Sequence, residues 1–244
     1  MKKWIFACCC LVSMLSYGAP LLIGTLSDNP PFEEESYKKN NQNNYFGFDI
    51  AIMTEICTHI QSQCDFKSFD FHQFPNLINS GKIDLGIAMI IITPEREKQF
   101  AISLPYLDSY QQFMTLAHSN YRSIGELTGK RIGVYKGSPT KAWALNFFKG
   151  QIKIVSYPHS TALLNALDKK EVDAIITGHY SAVFWQGNAG GKYKFIGGKT
   201  PIGEGYGIIA KPGQRALINK INRALLEMEN DGTYLKIYTR YFSN

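Results

Sequence analysis

The sequence predicts an α/β protein whose mainly parallel sheets are covered by helices on both faces. Three observations carry that expectation. Residues 83–92 form a near-continuous apolar run, as expected of a strand buried on both faces of a parallel sheet. Strand-like and helical stretches alternate along the chain, the pattern of parallel strands joined by crossover helices. Helix-start signals follow strand ends: Thr93-Pro94-Glu95 puts a capping hydroxyl and a first-turn proline directly after the apolar run.

Taken in order, residues 21–25 (LLIGT) read as a short buried strand. Over 48–61, apolar residues at 53, 56, 57 and 60 follow helical spacing and mark one buried face. Further strands cover 83–92 and 111–117. Residues 131–135 form a strand that stops at Gly137-Ser138, with a helix following over about 139–148. Residues 152–157, 162–167 and 173–177 repeat the strand–helix–strand rhythm. A strand at 205–210 precedes an amphipathic helix at 214–228, and a last helix at 233–241 follows Asp231-Gly232. The Asn-rich stretch 39–44 reads as an exposed loop. No internal repeat is visible, and this pattern alone does not separate one sheet from two.

The N-terminus has the form of a secretory signal. Lys2 and Lys3 precede an apolar stretch from 5 to 15 that is too short to span a bilayer, and Ser16-Tyr17-Gly18 offers small residues for cleavage after Gly18. Too few apolar residues precede Ile5-Phe6-Ala7-Cys8 for a lipid-attachment site. Loss of residues 1–18 removes two Lys and no acid, so the net charge falls from +6 to +4 and 244 − 18 = 226 residues remain. That is enough for one large domain or two small ones. No Lys/Arg run exceeds pairs such as Lys38-Lys39 and Lys169-Lys170, which are solvated faces, so nucleic acid is not an expected partner.

Three of the five cysteines leave with the signal. Cys57 and Cys64 remain, an even number in an oxidising compartment, and their spacing permits a bridge between a helix end and the loop after it. Cys57-Thr58-His59 would suit a metal only with a second Cys/His pair at ligand spacing, and none exists, so a disulfide is favoured and no metal or other cofactor is expected.

Several motifs fall in the order found in one family. They are Pro30-Pro31-Phe32 after the first strand, Gly47-Phe48-Asp49-Ile50 opening a helix, and Gly81-Lys82-Ile83-Asp84 before the apolar run that ends in Thr93-Pro94-Glu95-Arg96. Then come Leu127-Thr128-Gly129-Lys130-Arg131-Ile132-Gly133-Val134, Gly137-Ser138, Val172-Asp173-Ala174-Ile175, Gly205-Tyr206-Gly207-Ile208 and Asp231-Gly232-Thr233-Tyr234. With these, nearly the whole mature chain resembles the family 3 extracellular solute-binding proteins, the periplasmic proteins that feed polar amino acids to ABC importers. The resemblance implies a two-lobed (type II) binding-protein fold with the ligand in the cleft. Lobe one would be 19–108 plus 205–244 and lobe two 109–204, with hinge crossings near 107–111 and 200–206. It also includes the Cys57/Cys64 pair.

Arg96 by itself suits either a surface pair with Glu95 or Glu97 or a carboxylate anchor; the resemblance implies the anchor for an α-carboxylate. Gly137-Ser138-Pro139-Thr140 follows a strand and opens a helix, where free N–H groups attract an anion and the Ser hydroxyl adds a donor; an ordinary capped turn has the same pattern. Phe71 matches the family's aromatic ring against the ligand side chain. Asp28 and Asn29 lie near the cleft segment 30–32, while Tyr135, Ala88, Met89 and Ile91 would complete the wall. Two departures stand out. The family usually has Ser or Thr where Ala88 and Ile91 stand, and its ammonium-binding acids fall on Gly178 and Leu26. Asp28, Asp108 and Glu204 are the candidate substitutes.

Gly197-Gly198-Lys199-Thr200 ends like a phosphate loop, but Tyr193 replaces the first Gly and Pro201 follows instead of a helix. The expected function is therefore that of a non-enzymatic, monomeric periplasmic receptor for arginine, lysine or glutamine, delivering its ligand to an inner-membrane ABC permease. Two rivals stay open. One is a periplasmic cyclohexadienyl or arogenate dehydratase-like enzyme on the same fold, favoured by Gly178; the other is a sensor or interaction module.

Overall fold

A computed structural model describes residues 19–37 and 43–242. The expected signal segment 1–18 and most of the Asn-rich loop lie outside them. The chain opens with β1 (Leu21–Thr25), a small three-stranded sheet of β2 (Asp28–Asn29), β3 (Glu33–Tyr37) and β4 (Asn43–Phe46), and α1 (Phe48–His59). Next come β5 (Cys64–Ser68), α2 (Phe74–Asn79), β6 (Leu85–Ile91), α3 (Pro94–Gln99) and β7 (Ala101–Ile102).

A second set of elements follows without interruption. It comprises β8 (Tyr110–Leu116), β9 (Arg131–Tyr135), α4 (Thr140–Phe147), β10 (Lys153–Tyr157), α5 (Ser160–Asp168), β11 (Ala174–Gly178), α6 (His179–Asn188) and β12 (Tyr193–Pro201). The chain then returns with β13 (Tyr206–Ala210), α7 (Arg215–Asn230) and α8 (Thr233–Phe242).

These elements make two lobes, each with its own sheet. The strand orders are β5-β1-β6-β13-β7 and β10-β9-β11-β8-β12. β1 runs parallel to β5 and β6, and β9 parallel to β10 and β11. The antiparallel strands, β13 in one sheet and β8 and β12 in the other, flank the two passages of the chain between the sheets. Those passages are tied to each other: Tyr206 N–H donates to Leu107 O at 2.8 Å and Ile202 N–H to Ser109 O at 3.1 Å.

The buried strands and helices lie where the apolar pattern puts them. β6 is buried along nearly its whole length. α7 buries Ile218, Ile221, Ala224, Leu225 and Met228, one stripe at helical spacing, against the core that also holds Ile52, Met53 and Ile56 of α1. The elements absent from the sequence expectation include β5, α2, β12, the short β7 and the small sheet β2–β4, whose last strand takes up Asn43 and Asn44 of the expected loop. β5 reads CDFKS, and an edge strand tolerates the outward charges that hide it from an apolar count. Cys57 and Cys64 form the expected disulfide, joining α1 to the first residue of β5. No helix among the described residues is long and apolar enough to cross a membrane.

Candidate functional site

The strand ends of both sheets face one another across a cleft, the place where open α/β sheets bind ligands. The cavity there holds about 450 Å³, counting its opening to solvent. Of the residues expected from sequence, Asn29, Phe71, Ala88, Met89, Ile91, Tyr135, Ser138, Thr140 and Gly178 line it. Gln111, Ile176, Thr177 and Tyr206 also line it without having been singled out, and Leu26 sits where an acid was missed. Arg96 and Gly137 border an adjoining recess behind Phe71.

Arg96 is placed by the start of α3. Thr93 caps that helix, its Oγ1 accepting from Arg96 N–H at 3.4 Å, and the guanidinium folds back toward the end of β6. Nη1 donates to Ile91 O at 2.8 Å, while Nη2 crosses to the other lobe and donates to Gly137 O at 3.3 Å. The guanidinium carbon lies 5.3 Å from the centre of the Phe71 ring, a cation–π contact. Burial lowers the Arg96 pKa to about 10, which leaves it cationic at neutral pH. Among the described residues neither Glu95 nor Glu97 forms an ion pair with it.

Phe71 opens a short 3-10 turn (Phe71–Gln73) fixed by Asp70 N–H donating to Gln73 Oε1 at 3.2 Å. Its ring meets Tyr135 of the second lobe edge-on, with centroids 5.8 Å apart and planes at 83°. Burial raises the Tyr135 pKa far above the ordinary tyrosine range, so its hydroxyl stays protonated. Beyond β9 the chain turns through Gly137 at φ +85°, where an added Cβ would lie 3.2 Å from the backbone of His72 in the first lobe. Both facts call for glycine, one by backbone conformation and one by the closeness of the lobes. At the start of α4, Ser138 Oγ and Thr140 Oγ1 are 2.7 Å apart, and Thr140 Oγ1 donates to Gln111 Oε1 at 3.0 Å. Two hydroxyls thus line the cavity at the start of α4, where Thr140 N–H donates to Ser138 Oγ at 3.2 Å, and a helix start is a setting that favours an anion.

Asn29 joins the lobes from the opposite wall. Its Nδ2 donates to Glu33 Oε2 at 3.0 Å, and its Oδ1 accepts from Ser160 Oγ at 2.9 Å and Ser181 Oγ at 3.5 Å. Asp28 does not line the cavity; its Oδ2 accepts from Thr161 Oγ1 at 2.7 Å and from Thr161 N–H at 3.3 Å, at the start of α5. Asp108 and Glu204 are exposed and outside the cavity. None of the residues named as substitutes for the missing acids therefore reaches the cleft wall. Two other acids, Glu33 and Asp49, are fully buried beneath it. Sequence offered no signal for them, because Glu33 begins a run of three glutamates and Asp49 resembles an ordinary first-turn acid.

The architecture is shared with known proteins. The family model of bacterial extracellular solute-binding proteins, family 3, matches residues 21–244. The chain is similar to ABC transporter arginine-binding protein 1 of Escherichia coli (strain K12), 29% identical over 252 residues, covering 99% of each. It is also similar in structure to an arginine third transport system periplasmic binding protein from Legionella pneumophila, with 40% identity and a TM-score of 0.87 over 92% of this chain and 100% of that one. A further similar structure is the ancestral amino-acid-binding protein AncCDT-1, a precursor of cyclohexadienyl dehydratase, with 25% identity and a TM-score of 0.80 over 92% of this chain and 96% of the other.

Proposed function

The chain belongs to the bacterial extracellular solute-binding proteins, family 3, and from that premise we propose that it is a periplasmic receptor that closes around a polar amino acid and delivers it to an ABC permease. Arginine, lysine and glutamine are the ligands of choice; arginine is the ligand named for the E. coli relative and in the name of the Legionella protein. In this reading residues 1–18 are removed on export, lobe one is 19–108 plus 205–244, lobe two is 109–204, and the chain acts as a monomer.

The observation that carries the reading is Arg96, a half-buried cation of lobe one without an acidic partner among the described residues, which reaches across to Gly137 beside the start of α4. A ligand carboxylate between Arg96 and the α4 start would take two parallel hydrogen bonds from the guanidinium and others from Ser138, Thr140 and the helical N–H groups. Those donors come from different lobes, so only the closed form makes all of the contacts, and that differential affinity drives closure. Phe71 and Tyr135, set edge-on to each other, would supply an aromatic corner for a guanidinium or amide side chain.

A dehydratase on the same fold is the second reading, favoured by Gly178 and by the likeness to AncCDT-1. Against it, the described residues that line the cavity include no carboxyl, imidazole or thiol to act as a general acid. The deciding experiment is thermal unfolding of the mature protein with the twenty amino acids, ornithine, citrulline and prephenate. A ligand at about a thousand times its dissociation constant stabilises by about 4 kcal/mol, or roughly 8–16 °C at this size. A shift with an amino acid supports the receptor; no shift with any of them refutes it, and turnover of prephenate or arogenate would establish the enzyme.

A further inference from the structure

We propose that the counter-charge for the ligand's α-ammonium is the buried Glu33–Asp49 carboxyl pair, presented to the cleft through Asn29. The inference rests on the reading of the cleft as an amino-acid site.

An ammonium buried without a carboxylate partner is strongly unfavourable, and no described residue lining the cavity carries one. Position 178 is tight for it. A Cβ there would stand 3.0 Å from the Tyr206 hydroxyl and 3.2 Å from Met89 Cε. The Met89 side chain thus takes the space that a longer side chain at 178 would need, and Met89 itself sits at φ +45°, a conformation few non-glycine residues adopt.

The negative charge lies one layer deeper. Asp49 Oδ2 accepts from Tyr106 Oη at 2.9 Å and from Met89 N–H at 3.0 Å, and Glu33 Oε2 accepts from Asn29 Nδ2 at 3.0 Å. The two remaining oxygens, Glu33 Oε1 and Asp49 Oδ1, are buried with no hydrogen-bond partner. Two fully buried carboxyls that feel each other's charge do not both ionise at neutral pH, so the pair holds one proton and one negative charge. Burial, and then the charge of Asp49, raise the Glu33 pKa well above the carboxylate range, which keeps the proton on Glu33. Burial pushes Asp49 up to about 6, opposed by the neighbouring Glu33 and by the hydrogen bonds from Met89 and Tyr106.

The titratable groups facing the pair are Tyr106, Tyr206, Tyr135, Tyr234 and Asp28, none of them cationic. Among the described residues neither acid takes part in an ion pair. The charge is therefore left for something outside the core. The two groups that receive it, the Asn29 amide and the Met89 backbone, both line the cavity. Asn29 gives its Nδ2 to Glu33, and its Oδ1 accepts from Ser160 and Ser181 of the second lobe, which fixes the amide against the pair. An ammonium against the Asn29 and Met89 wall of the cavity would sit in the field of the pair.

The test is calorimetry of the mature protein around pH 6 in buffers of different ionisation heat. The probes are arginine, lysine and glutamine with their deamino counterparts 5-guanidinopentanoate, 6-aminohexanoate and glutaramate. An approaching ammonium favours the charged pair, so binding of the amino acid releases up to one proton, and affinity falls up to about tenfold per pH unit below about pH 6. The deamino counterpart shows neither effect. The double variant Glu33→Gln/Asp49→Asn keeps the shape and removes the charge; it weakens the amino acid at least about tenfold more than its counterpart. Equal proton release by both probes, or equal loss of both in the variant, overturns the proposal and leaves the receptor intact. If none of the three binds, the amino acid that stabilises the protein in thermal unfolding and its deamino counterpart take their place; failure of the whole panel removes the receptor reading and this inference with it. A double variant that does not fold leaves the decision to proton release in the wild type.

Discussion

Replacing Arg96 with Ala separates a ligand anchor from a structural arginine. In the ligand-free protein the guanidinium makes two hydrogen bonds, to Ile91 O and Gly137 O, and one contact with the Phe71 ring. Holding a cation there also costs solvation, which is why its pKa falls to about 10. The two terms largely offset each other, so the unliganded variant should unfold within about 4 °C of the wild type, roughly 1 kcal/mol at this chain size. Ligand binding has no such offset. A carboxylate that loses a charged donor forfeits about 1.5–3 kcal/mol per hydrogen bond before water replaces part of it. A net loss of about 2–3 kcal/mol, or roughly 30- to 150-fold in dissociation constant, follows, with about tenfold as the floor. Arg96→Lys keeps the charge without the planar fork and should fall between the two. The assay is calorimetric titration of the amino acid that stabilises the wild type, paired with thermal unfolding of each variant without ligand. A dissociation constant within about threefold of wild type would remove Arg96 from the binding site; such a result with a large drop in midpoint would make it a lobe-closing brace.

Two other changes test the same cleft and its scaffold. Gly178→Asp should weaken amino-acid binding, because the new side chain meets Tyr206 and Met89 before it meets a ligand, and adding Met89→Gly should recover affinity; recovery is read by titration, and an affinity gain in the single variant would contradict the crowding argument. Cys57→Ser/Cys64→Ser opens a loop of sequence separation 7 and should cost about 2.5 kcal/mol by the chain-entropy estimate, roughly 5–10 °C in midpoint, with little change in ligand affinity. An unchanged midpoint would show that α1 and β5 are held together without the bridge.

Much of the scaffold was legible in the order of residues because it depends on contacts a few positions apart or on continuous burial. β6 announces itself by an unbroken apolar run, α7 by a stripe at helical spacing, and the start of α3 by Thr93 and Pro94. The motif order, from the segment 30–32 to Asp231-Gly232, was enough to point to the family. The charged edge strand β5 escaped, since its outward Asp65 and Lys67 break the apolar pattern without breaking the strand.

The interior of the cleft belongs to the tertiary structure. Asn29 meets Ser160 and Ser181 across 131 and 152 residues of chain, and Thr140 meets Gln111 across 29, distances over which no local pattern reports. Residue order also cannot say which acid is buried. Glu33 looks no different from Glu34 and Glu35 until β3 packs against α1 and removes it, with Asp49, from water. Periodicity records which face of an element is apolar, and so marked most of the longer strands and helices, while two lobes were expected only from the motif order shared with the family. Which polar groups are stripped of solvent is decided only when separate faces close on one another, because desolvation is a property of the assembled surroundings and not of the residue.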